Sequence, residues 1–96
     1  MLNSVMTVVT TNGEYVGKIT GESANSITMA NPRLIVTTEQ GMGFANGIAM
    51  TGIDNPKSVT FKNYIFVTES AEGVIEAWNE HTGQIQLPKT SKIIGS

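Results

Sequence analysis

The sequence has no cysteine, a single histidine, and fewer basic than acidic side chains. Without cysteine there can be no disulfide framework, no thiolate zinc site and no cysteine nucleophile, and the staple of small secreted domains is missing. His81 stands alone beside Glu80, so neither a metal-ligand cluster nor a catalytic triad can be assembled around it. Serines and threonines are plentiful, yet with no base to activate them they read as strand surface. Gly41-Met42-Gly43 lacks the lysine and the strand-to-helix setting of a phosphate loop. These absences predict a protein that is not an enzyme and carries no cofactor or metal. Six Lys and Arg against eight Asp and Glu give a formal charge of −2, so phosphate contacts would have to be local rather than spread over a basic face. No run approaches the roughly 20 apolar residues of a membrane helix. Met1-Leu2-Asn3-Ser4 shows neither the basic start nor the apolar stretch of a signal peptide, which predicts a cytoplasmic protein with no membrane partner.

What is present fits one mostly-β domain over residues 1–96, since 96 residues leave no length for a second core. Val5-Met6-Thr7-Val8-Val9-Thr10 is β-branched and short, hence a first strand. Asn12-Gly13 is a tight-hairpin signal, because both residues accept the positive φ of a primed turn. The next strand, about 14–22, contains Gly17 and Gly21, which mark bends or close backbone approach. After the turn Ser23-Ala24-Asn25, the run Ser26-Ile27-Thr28-Met29-Ala30 alternates as a half-buried strand does.

Asn31-Pro32-Arg33 and Asn55-Pro56-Lys57 are placed symmetrically about Phe44. They predict a long hairpin with arms at 33–39 and 48–54, a tip at 41–47, and two prolines facing each other where the pairing kinks or ends. Residues 58–62 and 64–69 read as two further strands separated only by Lys62-Asn63, with Val59, Phe61, Ile65 and Val67 inward. Ser70 is placed to cap a helix over about 70–82, in which Ala71, Val74, Ile75 and Trp78 recur at helical spacing and Gly83 supplies a left-handed stop. In the tail, 83–96, Ile85, Leu87, Ile93 and Ile94 could pack or form an edge strand.

The stretch Thr10-Thr11-Asn12-Gly13-Glu14-Tyr15-Val16-Gly17-Lys18-Ile19, continued by Glu22-Ser23-Ala24-Asn25-Ser26-Ile27-Thr28-Met29, resembles the first motif of the Sm, LSm and Hfq families. Phe61-Lys62-Asn63-Tyr64-Ile65 resembles the second, standing where Hfq has Tyr-Lys-His-Ala-Ile and Sm proteins have Arg-Gly. Overall the chain looks most similar to Sm-like proteins attributed to marine cyanophages, which implies a viral source. The resemblance spans about 5–68. It implies a strongly bent, five-stranded antiparallel Sm-like barrel over about 4–69, here with a long strand 3–4 hairpin and a C-terminal helix. The departures are a Gly13-to-Gly17 spacing one residue short, a loop at 23–25 without the family's Asp or aromatic, and a helix that follows the strands instead of preceding them.

The resemblance further implies a homo-oligomeric ring of about five to seven subunits, in which the last strand of one copy pairs with the preceding strand of the next. A ring repeats each Lys62-Asn63 several times, so an acidic chain could still bind RNA or single-stranded DNA at its pore. By that analogy the nucleic-acid-binding residues are Lys62, Asn63 and Asn25, with Ser26 and Tyr64 as companions. Plainer readings stand beside these. Lys62-Asn63 is also a polar turn, and Asn25 is also a turn residue that bonds its own backbone. Trp78 is expected in the core, while Arg33 and Lys57 suit a second basic patch or, the preferred reading, an edge kept soluble. Met42, Phe44, Ile48 and Met50 suit either packing on the barrel or a contact surface. The rival function is a structural or assembly adaptor of a phage that uses the same barrel for protein contacts.

Overall fold

A computed structural model of the chain describes residues 1–83. Its elements run β1 (Val5–Thr10), β2 (Gly13–Glu22), β3 (Ser26–Thr38), β4 (Gly41–Ala45), β5 (Ser58–Lys62), β6 (Phe66–Glu69) and α1 (Glu72–Thr82). The six strands form one antiparallel sheet in the order β4-β3-β2-β1-β6, with β5 attached to β3 off this path. The sheet is not closed. Among the described residues no helix is long and apolar enough to cross a membrane. The calls on Ile85, Leu87, Ile93 and Ile94 lie outside the described residues.

β1 and β2 pair as the expected hairpin, but the turn is Thr11-Asn12, one residue earlier than expected: Thr10 lies opposite Gly13, which opens β2, and Asn12 does not take the positive φ of a primed turn. β2 then bends over β3 through register shifts between Val16 and Lys18 and between Ile19 and Gly21. Gly17 sits at the first of these, where a Cβ would run into the Met29 side chain and stand 2.8 Å from the Ala30 carbonyl oxygen. Glycine therefore permits the close approach that curls the two strands together. The curl closes over a core of Met6, Val8, Tyr15, Ile19, Ile27 and Met29, flanked by Leu34, Ile48, Phe61, Tyr64 and Val67. Tyr15 and Phe61 meet with ring centroids 4.9 Å apart in a tilted pair. Each fully buried aliphatic side chain here contributes about 1.5–3 kcal/mol.

The middle of the chain departs from the predicted hairpin. β3 runs unbroken through Asn31-Pro32-Arg33, and β4 is Gly41-Met42-Gly43-Phe44-Ala45, the stretch expected at the tip. Leu34 pairs with Ala45 and Thr38 with Gly41, so the turn falls at Glu39-Gln40. The Thr38 hydroxyl stabilises that turn, accepting from the Gln40 N–H at 3.2 Å and donating to the Gly41 carbonyl at 3.1 Å. A shorter hairpin wins because loop closure costs less entropy. Residues 48–54 are not an arm of β3; they belong to a small loop tied by the Gly47–Asp54 bridge and a bond from Asn55 N–H to the Asn46 carbonyl. Six strands stand where five were expected because the expected tip forms a strand of its own, β4, and β5 pairs with β3 separately.

The two Asn-Pro-basic triplets nonetheless meet. The β3–β5 ladder ends at Ala30 opposite Ser58, and the Asn31 N–H donates to the Lys57 carbonyl at 2.8 Å. Continuing that register places Pro32 opposite Pro56, both buried. Asn31 and Asn55 both take the left-handed backbone, at φ 50° and 49°. Neither proline can donate to a ladder, so pairing stops at this level and β3 changes partner from β5 to β4. Arg33 is a correction. It is not an edge charge but a residue only 5% exposed, opposite Val16 of β2.

At the end of the sheet, β6 begins at Phe66 rather than Tyr64, and Ile65, expected inward, is 59% exposed. Ser70 does not cap the helix: Ala71 occupies the cap position without a side-chain bond, and the Ser70 hydroxyl instead shares a buried 2.7 Å hydrogen bond with the Thr7 hydroxyl of β1. α1 buries Ala77 and Trp78, while Ala71 is exposed. Gly83 ends it at φ 76°, its N–H shared between the carbonyls of Asn79 and Glu80. That is the left-handed stop predicted for it.

Candidate functional site

The turn after β2 and the turn after β5 lie side by side because β3 and β5 start their ladder at Ser26 opposite Lys62. The first turn is held by the Ser23 N–H, which donates to the Ser26 carbonyl at 2.9 Å, and by a 2.8 Å bond between the two serine hydroxyls. Asn25 stands exposed at its top. The second turn carries the chain from β5, which pairs with β3, to β6, which pairs with β1. Asn63 makes the change of direction at φ 59°, a conformation asparagine tolerates better than branched side chains do. The Ile65 N–H then bonds the Val9 carbonyl at 2.8 Å and fixes the far side of the turn.

Between the turns is an open cleft of about 690 Å³ lined by Ser23, Ala24, Asn25, Ser26, Lys62, Asn63 and Tyr64. All five residues singled out in the sequence therefore share one concavity. Lys62 is the last residue of β5 rather than part of the turn, so its stem is anchored by the ladder while its ammonium reaches solvent. Tyr64 is half-buried, its ring packed on the core cluster. Among the described residues no side-chain hydrogen bond engages Asn25 or Asn63, no carboxylate lines the cleft, and no ion pair holds Lys62. The cleft thus offers one uncompensated positive charge, two free amides, hydroxyls and a phenol. Such a set suits a polar ligand with negative charge and hydrogen-bonding edges.

Ser23 and Ala24 complete the wall and were not among the expected site residues; their place beside Asn25 in one tight turn is the signal that would have found them. Arg33 does not belong to this surface. Among the described residues no three His, Asp or Glu side chains gather closely enough to hold a metal ion. No protein-family profile matches the chain, and no curated protein is significantly similar to it.

Proposed function

We propose that the protein is a non-catalytic Sm-like subunit that assembles into a ring of about five to seven copies and binds RNA or single-stranded DNA at the Lys62 cleft. The observation that carries this reading is the convergence of Asn25, Ser26, Lys62, Asn63 and Tyr64 on one cleft, from two turns more than 30 residues apart in the chain. Within one subunit a single lysine attracts a phosphate chain weakly. Repetition around a symmetric assembly concentrates the charge and sets successive clefts along one path.

The strand edges favour that assembly. Among the described residues, β5 pairs only with β3 and β6 only with β1, so each has an open edge. Ile65, just before β6, and Phe66, its first residue, are 59% and 51% exposed. Unpaired edges with apolar side chains invite another strand, and a β5-to-β6 contact between copies would satisfy both edges at once. Closing the Sm-like barrel through that contact is part of the same reading.

A second reading, a viral assembly adaptor, draws on Met50 and Ile53. Both project from the loop between β4 and β5, Ile53 with 74% of its surface exposed, and exposed apolar side chains favour protein contacts. The deciding experiment joins light scattering behind size exclusion to anisotropy titrations with labelled oligo-U and oligo-dT at low salt. A mass of about five to seven chains with salt-sensitive binding, weakened in Lys62→Ala, is the expected result. A monomer, or binding indifferent to Lys62, overturns the proposal; an oligomer that binds neither oligonucleotide favours the adaptor.

A further inference from the structure

The Lys62 cleft does not end at its two turns. Residues directly opposite each other in an antiparallel pair share one face of the sheet, and Ile27 and Met29 of β3 turn into the core. Their alternates therefore face outward, each beside its partner in β5: Ser26 with Lys62, Thr28 with Thr60, Ala30 with Ser58. β2 widens two of these rows, because Gly21 pairs with Thr28 and Lys18 with Ala30. The result is an outward strip that starts at Lys62 and reaches Lys18 after about 13 Å along β3.

The strip has one chemical character. Ser58, Thr60 and Lys62 are exposed, and the Thr28 and Thr60 hydroxyls bond each other at 2.9 Å. One hydroxyl hydrogen of that pair stays free to donate to a ligand oxygen. Gly21 adds no side chain: a Cβ there would stand 3.7 Å from the Thr28 Cβ, so anything larger would lie over the hydroxyl pair. Lys18 is half-buried, which suits a stem laid along the sheet with its ammonium in water. No acidic residue stands in these rows; Glu22, next to Gly21 in β2, is opposite Ile27 and belongs to the other face. Beyond Lys18 the row of Thr7, Val16 and Arg33 is buried, so the strip ends there.

We propose that this strip continues the cleft and carries the sugar-phosphate backbone of a single-stranded nucleic acid, with Lys62 and Lys18 as phosphate contacts at its two ends and the Thr28 and Thr60 hydroxyls between them. The proposal rests on the oligonucleotide reading of the cleft and adds to it a path and a second basic contact. In a chain with eight acidic and six basic residues, a face with two lysines and no carboxylate is where a polyanion approaches without repulsion. A small anion is satisfied at Lys62 alone; only a chain of phosphates long enough to span the strip engages both lysines. Hydroxyls and ammonium groups hold the backbone rather than base edges, so the strip adds affinity without sequence preference.

The test is a low-salt anisotropy titration of the full-length protein with labelled oligo-U and oligo-dT, applied to variants at the far end and in the middle of the strip. Lys18→Gln should weaken binding and lower the slope of log affinity against log salt by about one. Thr60→Glu sets a carboxylate in the path and should weaken binding by roughly tenfold or more, while the uncharged Thr60→Gln, of equal size to Glu, should weaken it far less. Thermal unfolding of each variant checks that the fold is kept, and Thr28→Glu replaces Thr60→Glu if the latter does not fold. Binding that needs Lys62 but is unchanged in Lys18→Gln and Thr60→Glu overturns the strip and leaves the cleft reading standing. Equal losses in Thr60→Glu and Thr60→Gln also overturn the strip, and a loss in Thr60→Glu with none in Lys18→Gln overturns the path to Lys18. Absence of binding by the parent protein overturns strip and cleft together.

Discussion

Two basic residues stand next to a turn or kink in the same sheet, and they have opposite fates. Lys62 ends β5 with its ammonium in solvent beside two unengaged amides. Arg33 follows Pro32 within β3 and is only 5% exposed, and desolvation lowers its affinity for a proton. Net charge or local sequence would class them together. The difference comes from what covers each site: nothing described covers the cleft, whereas a helix from much later in the chain covers the hairpin. Substitutions at the covered site should therefore act on stability, and substitutions at the open one on binding.

The largest expected contrast is at Trp78. Trp78→Ala removes a side chain that is 1% exposed and should cost about 3–5 kcal/mol in denaturant unfolding, while leaving oligonucleotide affinity of the folded fraction unchanged. Next is the hydroxyl pair that joins β1 to the entry of α1. Ser70→Ala leaves the buried Thr7 hydroxyl without its partner and should cost about 1–3 kcal/mol, with part of the loss recovered when Thr7→Val is added. Recovery in that double-mutant cycle separates an orphaned hydroxyl from simple lost packing.

Asn63 sharpens the comparison because it has both a backbone and a side-chain role to lose. Asn63→Ala should destabilise by about 1 kcal/mol through its positive φ, and Asn63→Gly should not. If both weaken oligonucleotide binding alike, the amide touches the ligand; if only Asn63→Ala does, the residue is a turn former. The smallest stability effect should be at Lys62, where Lys62→Ala stays within about 0.5 kcal/mol of the parent yet flattens the salt dependence of binding. Arg33→Met, by contrast, should be neutral or stabilising, since an apolar side chain removes an uncompensated buried charge. A large loss of stability in Arg33→Met would break the comparison.

Much of this was legible in the chain. The β1–β2 hairpin, though not the residues of its turn, the glycine-permitted bend, the Gly83 stop and the grouping of Asn25, Ser26, Lys62, Asn63 and Tyr64 rest on local conformational preference or on a two-motif pattern. The errors fall where two local solutions compete. Symmetric Asn-Pro-basic triplets predicted opposed prolines, and their register agrees, but the same symmetry suggested a long hairpin that a tighter turn at Glu39-Gln40 displaced. Ser70 had the chemistry of a helix cap, and a buried hydroxyl 63 positions away claimed it instead.

The sequence by itself determined that the segments of β1, β2, β5 and β6 extend, that β1 and β2 form a hairpin and which residue ends the helix, because these depend on φ preferences and alternation within a few neighbours. Only the tertiary structure decided which strand β3 pairs with on each side of its proline, which basic residue is buried, and that His81 meets Phe44. Those outcomes depend on surfaces brought together from distant parts of the chain, and burial is a property of the neighbour that arrives, not of the residue that waits.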